Sequence, residues 1–380
     1  MPDARVLFLT CWYPNSKNPG KGIFVRNHAI AIKNYTPAIL VVSVDVEHGS
    51  GLLRYSWTEG KDEHGIDTLT LSIESRFYKL VYALIPLMRV IYRNSILRKT
   101  AGFKPTIIHS NVIAPAGILG YSIASKLNIP HIITEHWSKI DKFMKKNLSS
   151  GIAKMAYKKA FAITAVSEFL GKNIRRYAPD ANIITVANTV DTEVYRTKQN
   201  RARLPDEPIV FTAVASWKLP KRPDLFIEAL EQIARSGKNI VLNMIGNGPQ
   251  AEQLKKRQYS FTINWLGYLK AEAIAEVLYK SNYFLHASEV ETFSVVVAEA
   301  LSTGTPAVVS ATGALPEFVQ PGVCLSAENT IQDWTQKIEQ IISTSFDPNV
   351  VAASVTSKVN STEIGKRFAA IYLKALSNRA

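Results

Sequence analysis

A chain of 380 residues is longer than one typical hydrophobic core uses, so two or three domains are expected, and 45 Lys+Arg against 31 Asp+Glu leave a formal charge of +14. Two cysteines, Cys11 and Cys324, stand far apart and set neither a metal spacing nor a disulfide framework, which makes a reducing, cytoplasmic compartment the expectation. Residues 1–10 run into a short strand without the apolar core of a signal peptide, and the longest apolar stretch, Leu80–Met88 between Lys79 and Arg89, is too short to cross a bilayer, so an integral membrane protein is not expected.

In chain order, apolar strands are expected near Arg5–Thr10, Ile39–Val44, Thr106–His109, His131–Thr134, Ala162–Ala165 and Ile183–Val186, with helices such as Ile23–Asn34, Pro115–Leu127 and Glu168–Tyr177 between them. A polar, proline-bearing boundary, Arg201–Pro208, precedes a second run with strands near Ile209–Val214, Ile240–Ile245, Thr262–Trp265, Tyr283–His286 and Ala307–Val309. A last helix is expected at about Ser361–Ser377. Strands alternating with helices are the sequence pattern of parallel α/β sheets. The division that follows is 1–200, 201–360 and a final helix in 361–380.

The charge is uneven. Residues 1–200 hold 27 Lys+Arg against 14 Asp+Glu, whereas residues 201–380 hold 18 against 17. No acid lies between Glu74 and Glu135, and Arg76, Lys79, Arg89 and Arg93 interleave there with Phe77, Tyr78, Leu80, Val81, Tyr82, Leu84, Ile85, Leu87, Met88, Val90, Ile91 and Tyr92. That pattern suggests a basic amphipathic helix, kinked at Pro86, lying on an anionic membrane surface; the alternative is a buried domain helix with a solvated basic rim. No base-reading motif accompanies the charge, so nucleic acid is not an expected partner.

The most informative stretch is 282–304, which reads as a strand, an acidic turn and a helix through Val295–Leu301 that Ser294 can N-cap. The helix is apolar almost all round and so is expected to be buried, which requires a partner or ligand for Glu299 inside it. Glu291 and Glu299 form an E-x7-E pair, followed by Gly304-Thr305-Pro306 and by Gly313-Ala314-Leu315-Pro316-Glu317. This set resembles the donor-site signature of the family-4 retaining glycosyltransferases of GT-B fold. The resemblance implies two facing Rossmann-like domains, an N-terminal one for the acceptor and a C-terminal one for the nucleotide-sugar donor, with the last helix crossing back to the first. It also implies that Glu291 contacts the donor sugar, that Glu299 holds the ribose, and that amides of the Phe293, Ser294, Val295 and Val296 turn face the diphosphate. A helix N-terminus does offer unpaired N–H groups and positive dipole charge to a phosphate.

Other segments carry the same resemblance. Gly22, ending the loop after the first strand, matches a loop near donor phosphate and acceptor, and equally a glycine that only turns loop into helix. His136, after Ile132-Ile133-Thr134-Glu135, resembles the family's Thr-x-His segment at the donor sugar, whereas His109 is read as structural and Asn111 stands where many relatives have His. Asn188 and Asp191 resemble a turn into the second domain, with Thr189 in place of its glycine; a side-chain-capped turn is the expected role. Ala213–Arg222 resembles the segment whose Arg and Lys neutralise the diphosphate: Lys221 matches the Lys, Ser216 stands in the Arg position, and Lys218 or Arg222 is the candidate substitute.

Gly246 and Gly248 in Gly246-Asn247-Gly248-Pro249 satisfy a weak dinucleotide fingerprint, but no acid ends the next strand, and the resemblance puts this turn at the nucleotide pocket instead. No P-loop or Asp-x-Asp motif is present, so a metal-independent, cofactor-free transfer from a nucleotide diphosphate sugar to a glycan acceptor is implied, and the basic, apolar 76–93 segment makes an acceptor on a lipid, as in cell-surface polysaccharide assembly, the expectation. Glu291, Lys221 and His136 are the expected catalytic group. A nucleotide-sugar epimerase or phosphorylase of the same fold, and a non-catalytic nucleotide-sugar-binding scaffold, remain open at this point.

Overall fold

The computed structural model describes residues 4–378 apart from 16, 147, 200–203 and 205, so Ser16 of the first loop and Arg201-Ala202-Arg203 and Pro205 of the expected boundary lie outside the described residues. The chain divides into two compact units, Met1–Thr189 with Ser361–Ala380, and Val190–Asn360. The division falls at Thr189/Val190, before the proline-bearing segment expected to mark it.

The first unit is built on an eight-stranded sheet: β1 Arg5–Thr10, β2 Ala38–His48, β3 Arg54–Lys61, β4 Asp67–Ser75, β5 Ile107–Asn111, β6 His131–Glu135, β7 Ala162–Ala165 and β8 Ile183–Thr185, in the order β3-β4-β2-β1-β5-β6-β7-β8. All neighbours are parallel except β3, which pairs antiparallel with β4 at the edge. Central strands read as apolar runs because helices cover both their faces: Val6, Leu7, Phe8 and Leu9 are all buried. On one face Val25, Ala29 and Ile32 of the Ile23–Lys33 helix share a core with Ile364, Phe368, Ile371, Tyr372 and Ala375 of the Ser361–Ser377 helix. The Val, Ile and Phe side chains among these each contribute about 1.5–3 kcal/mol relative to exposure.

The expected basic helix is two, Tyr78–Leu84 and Arg89–Lys99, bent by 87° at the Pro86 segment. Val81, Tyr82, Tyr92 and Leu97 pack on the core, while Phe77 (51% exposed), Leu80 (58%) and Ile91 (62%) face outward. Among the described residues no single helix is long and apolar enough to cross a membrane; this bent pair passes that test only when its two parts are taken together.

The second unit has six parallel strands: β9 Ile209–Val214, β10 Ile240–Ile245, β11 Thr262–Gly267, β12 Tyr283–His286, β13 Ala307–Ser310 and β14 Cys324–Ala327, ordered β11-β10-β9-β12-β13-β14. The strand order reverses between β9 and β12, and ligands of such sheets bind outside the carboxyl ends of the strands at that switch point. In the first sheet the reversal lies between β1 and β5.

Candidate functional site

Beyond β9 the chain runs through Ala215–Lys221, and beyond β12 it runs from Ala287 to Glu291. These loops are tied together at the switch point, because Arg222 N donates to Ala287 O (3.0 Å), Glu289 N donates to Pro220 O (2.9 Å), and Lys221 bridges antiparallel to Ser288. The tie brings Lys221 Nζ against Glu291 Oε1 as an ion pair. His286, the last residue of β12, places Nε2 2.9 Å from the same oxygen, 3.3 Å from Lys221 Nζ and 3.2 Å from Ser294 Oγ.

Burial alone would raise the Glu291 carboxyl, but the His286 and Lys221 contacts outweigh it and hold it at about 2. Burial and the Lys221 ammonium both lower His286, so its ring is neutral near pH 7. A neutral ring also avoids like-charge repulsion at the 3.3 Å approach of the Lys221 ammonium, and in the tautomer that carries its proton on Nε2 it donates to Glu291 Oε1. The result is an ionised carboxylate and a fixed ammonium side by side, both partly open to solvent, with side-chain exposures of 13% and 20%.

The glycines position these loops. A Cβ on Gly313 would lie 2.2 Å from Glu291 O at a φ of 60°, so only glycine lets Ala314 N donate to Glu291 O at 3.0 Å. Gly246 and Gly248 pack backbone to backbone against Ala215 and Trp217, and Gln250 Nε2 donates to Lys221 O (2.8 Å). Both glycines thus support the Lys221 loop.

The Val295–Ser302 helix corrects two expectations. Ser294 stands at the N-cap with φ 75° and makes no side-chain cap; its hydroxyl turns to His286 instead. The helix is not buried all round either, since Val295, Val296 and Glu299 share a partly exposed face, while Phe293 is buried against Phe318 (5.5 Å between ring centroids). Glu299 is hydrogen-bonded to Tyr195, and desolvation exceeds the effect of that bond and raises its carboxyl to about 7. Ser216 is exposed at the end of β9. Arg222 is not a free substitute cation, because Asp224 holds Nε (2.9 Å) and Nη2 (2.7 Å) while Glu289 lies 3.2 Å from Nη1. Lys218 is exposed and has no ion pair among the described residues.

In the first unit Gly22 caps the Ile23–Lys33 helix at φ 64°, with Trp12 O where a Cβ would go, so backbone packing alone demands it. His136 follows β6, buried, with Nε2 3.4 Å from Asn111 Oδ1 and its ring tilted against those of Phe24 (4.8 Å between centroids) and His28 (5.3 Å). Burial drives it neutral, with His28 adding to the effect. His109 is structural, its Nδ1 2.5 Å from Tyr372 OH and its Nε2 2.6 Å from Thr134 Oγ1. Asp191 Oδ1 accepts from Glu193 N and Val194 N, the expected capped turn.

The family described as Glycosyl transferases group 1 matches residues 194–352, and Glycosyltransferase Family 4 matches residues 56–194. The chain belongs to glycosyltransferase family 4. This glycosyltransferase is 22% identical over 317 residues to a phosphatidylinositol N-acetylglucosaminyltransferase protein of Arabidopsis thaliana, covering 80% of the chain and 68% of that protein. It is 27% identical over 168 residues to a Mycobacterium tuberculosis GDP-mannose-dependent alpha-(1-6)-phosphatidylinositol dimannoside mannosyltransferase, where the match spans 43% of the chain and only 44% of the relative. Among solved structures, sucrose-phosphate synthase from Thermosynechococcus elongatus superposes with a TM-score of 0.71 at 17% identity over 98% of this chain and 100% of that one. Anabaena Alr3699/HepE, in complex with UDP and glucose, gives 0.69 at 17% over 98% and 99%. These likenesses establish the GT-B fold.

Three residues of this transferase escaped sequence reasoning. His286 was legible only as the end of a strand, although a histidine at the carboxyl end of a strand beside the switch point is a signal. Tyr195, the partner of Glu299, lies 104 positions away in sequence, and nothing local points to it. Glu135, wholly buried, accepts from Ile113 N (2.6 Å) and Tyr157 OH (2.7 Å), and desolvation raises it to about 7. It fastens the turn after Asn111, where Val112 adopts φ 67°, uncommon for a β-branched residue.

Proposed function

We propose that this transferase is a retaining enzyme that moves a sugar from a nucleotide diphosphate sugar to a lipid-linked glycan on the cytoplasmic face of an anionic membrane. The observation that carries the reading is the Glu291–Lys221–His286 constellation at the β9/β12 switch point. Cleaving the glycosyl bond places extra negative charge on the departing diphosphate, and fixed cations lower that barrier. Lys221, with Lys218 on the same loop, supplies such charge; Glu291, held ionised, accepts sugar hydroxyls; Glu299 and the first turn of its helix take ribose and phosphate. The leaving phosphate assists attack from its own face, so the protein contributes positioning and charge and no metal is needed.

The acceptor assignment draws on relatives named for phosphatidylinositol and its dimannoside, and on the outward Phe77, Leu80 and Ile91 among Arg76, Lys79, Arg89 and Arg93. A nucleotide-sugar-binding scaffold is the second reading, favoured by the exposed Ser216 in the family's Arg position and the occupied Arg222. A thermal-shift screen of nucleoside diphosphates and their sugars, followed by turnover assays on lipid-linked acceptors with and without chelator, tests the proposal, since a ligand that binds only the native state raises its stability. Transfer with retained anomeric configuration, insensitive to chelator, supports it. Release of epimerised sugar or sugar phosphate without acceptor makes the protein an epimerase or phosphorylase, and binding without turnover makes it a scaffold.

A further inference from the structure

A cleft of about 270 Å³ opens beside the chain that leaves β6, lined by Trp137, Lys139, Lys142, Phe143 and Lys146. Trp137 directly follows His136, and its ring lies 5.7 Å from that of Phe143, centroid to centroid. Phe143 is buried, so the aromatic pair forms a firm wall, whereas the lysines are exposed. Their charge is uncompensated. Between Glu135 and Glu168 the sequence has seven lysines and a single acid, Asp141. Asp141 does not line the cleft and is already engaged, with Oδ1 accepting from Tyr177 OH (2.8 Å) and Oδ2 3.4 Å from Arg176 Nη1. Among the described residues none of the three lysines at the cleft has an acid partner.

An aromatic wall beside clustered ammonium groups selects a ligand with one flat, weakly polar face and one concentrated negative charge. A hexose presents the C–H face of its ring to an indole, and a phosphate ester supplies the charge. The volume is near the small end of ligand sites, room for about one sugar unit. On the reading of this chain as a transferase to a glycan acceptor, we infer that the Trp137 cleft is an acceptor subsite for a phosphorylated sugar. Its placement immediately after His136 puts it at the carboxyl end of β6, the side of the sheet where ligands of this architecture bind.

The test is calorimetric binding of glucose 1-phosphate, methyl α-glucoside and inorganic phosphate to the whole chain, with phosphatidic acid vesicles as a separate arm. Glucose 1-phosphate should bind at least tenfold tighter than either soluble control, weaken as salt rises, and lose at least tenfold in K139E/K142E and in W137F, with Tm and nucleotide binding unchanged in both variants. K221A, which alters the other unit, should leave glucose 1-phosphate affinity intact, placing the bound sugar phosphate outside the donor constellation. Equal binding of inorganic phosphate, unchanged affinity in K139E/K142E, or vesicle binding without sugar-phosphate binding overturns the inference. Failure of the transferase reading shows separately, as absence of nucleotide-sugar turnover while sugar-phosphate binding persists.

Discussion

Lys221 and Glu291, 70 residues apart in sequence, meet as an ion pair at the one place where the strand order of the second sheet reverses. Removing Lys221 takes away the fixed cation and leaves a carboxylate that is mostly desolvated. Lys221→Ala should lower sugar transfer on the order of a hundredfold, the scale of losing one charge-stabilising group. Steady-state kinetics with saturating donor check this; retained turnover would assign the diphosphate to Lys218.

Glu291 and Glu299 differ in state and should differ in effect. Glu299→Ala, which removes the partner of Tyr195, should weaken binding of bare nucleoside diphosphate, while Glu291→Ala should spare that affinity and abolish turnover. Calorimetry on both variants decides; equal loss of nucleotide affinity would refute the division of roles.

The glycine that admits Glu291 can be tested by itself. Gly313→Ala forces a Cβ to within 2.2 Å of Glu291 O, so the acidic turn must shift. Turnover should fall at least about tenfold, with a cost in stability of about 1–3 kcal/mol, read by activity and thermal melting together.

Stability should fall as pH rises from 4.5 to beyond 7. Folded Glu135 and Glu299 titrate at about 7 against the ordinary 4.5, so the native state holds protons that the unfolded chain releases. Their contribution is fully present below 4.5 and lost as pH rises through about 7. Glu291, held at about 2, works oppositely: its contribution is present above 4.5 and lost as pH falls through about 2. Glu135→Gln stays neutral and should flatten the decline between pH 4.5 and 8, worth on the order of 3 kcal/mol for the wholly buried carboxyl. Parallel melting curves against pH for variant and parent would refute it.

Co-sedimentation with vesicles tests the outward face of the Tyr78–Lys99 region. Binding should require anionic lipid, fall as salt rises from about 0.05 to 0.5 M, and weaken at least about tenfold in L80E/I91E. Lack of binding to either vesicle type would favour a soluble acceptor.

Most strands were legible because buried parallel strands are short apolar runs, as in Val6–Leu9 and Val308–Val309. The β3–β4 pair was not anticipated, for two different reasons. β3 is exposed at nearly every position, so it carries no burial pattern, while the alternation of Leu69, Leu71 and Ile73 in β4 is a fainter signal than an unbroken apolar run. The acids and Lys221 were found through spacing and resemblance. Their mutual geometry was not legible, since spacing does not reveal that Ser294 would face His286 instead of capping its helix, or that Asp224 and Glu289 would occupy Arg222.

The helix Ser361–Ser377 belongs to the unit that begins the chain, with Phe368 and Tyr372 buried there and the Tyr372 hydroxyl bonded to His109. On the ribosome, that unit waits for the codons of this helix. The interrupting Val190–Asn360 unit has all its strands available first, and at about 5–20 residues per second the unit containing His136 stays incomplete for roughly 10–40 s. Premature termination between Asn360 and Phe368 therefore yields a chain whose second unit is complete and whose first has an open hydrophobic groove, a product for quality control to find.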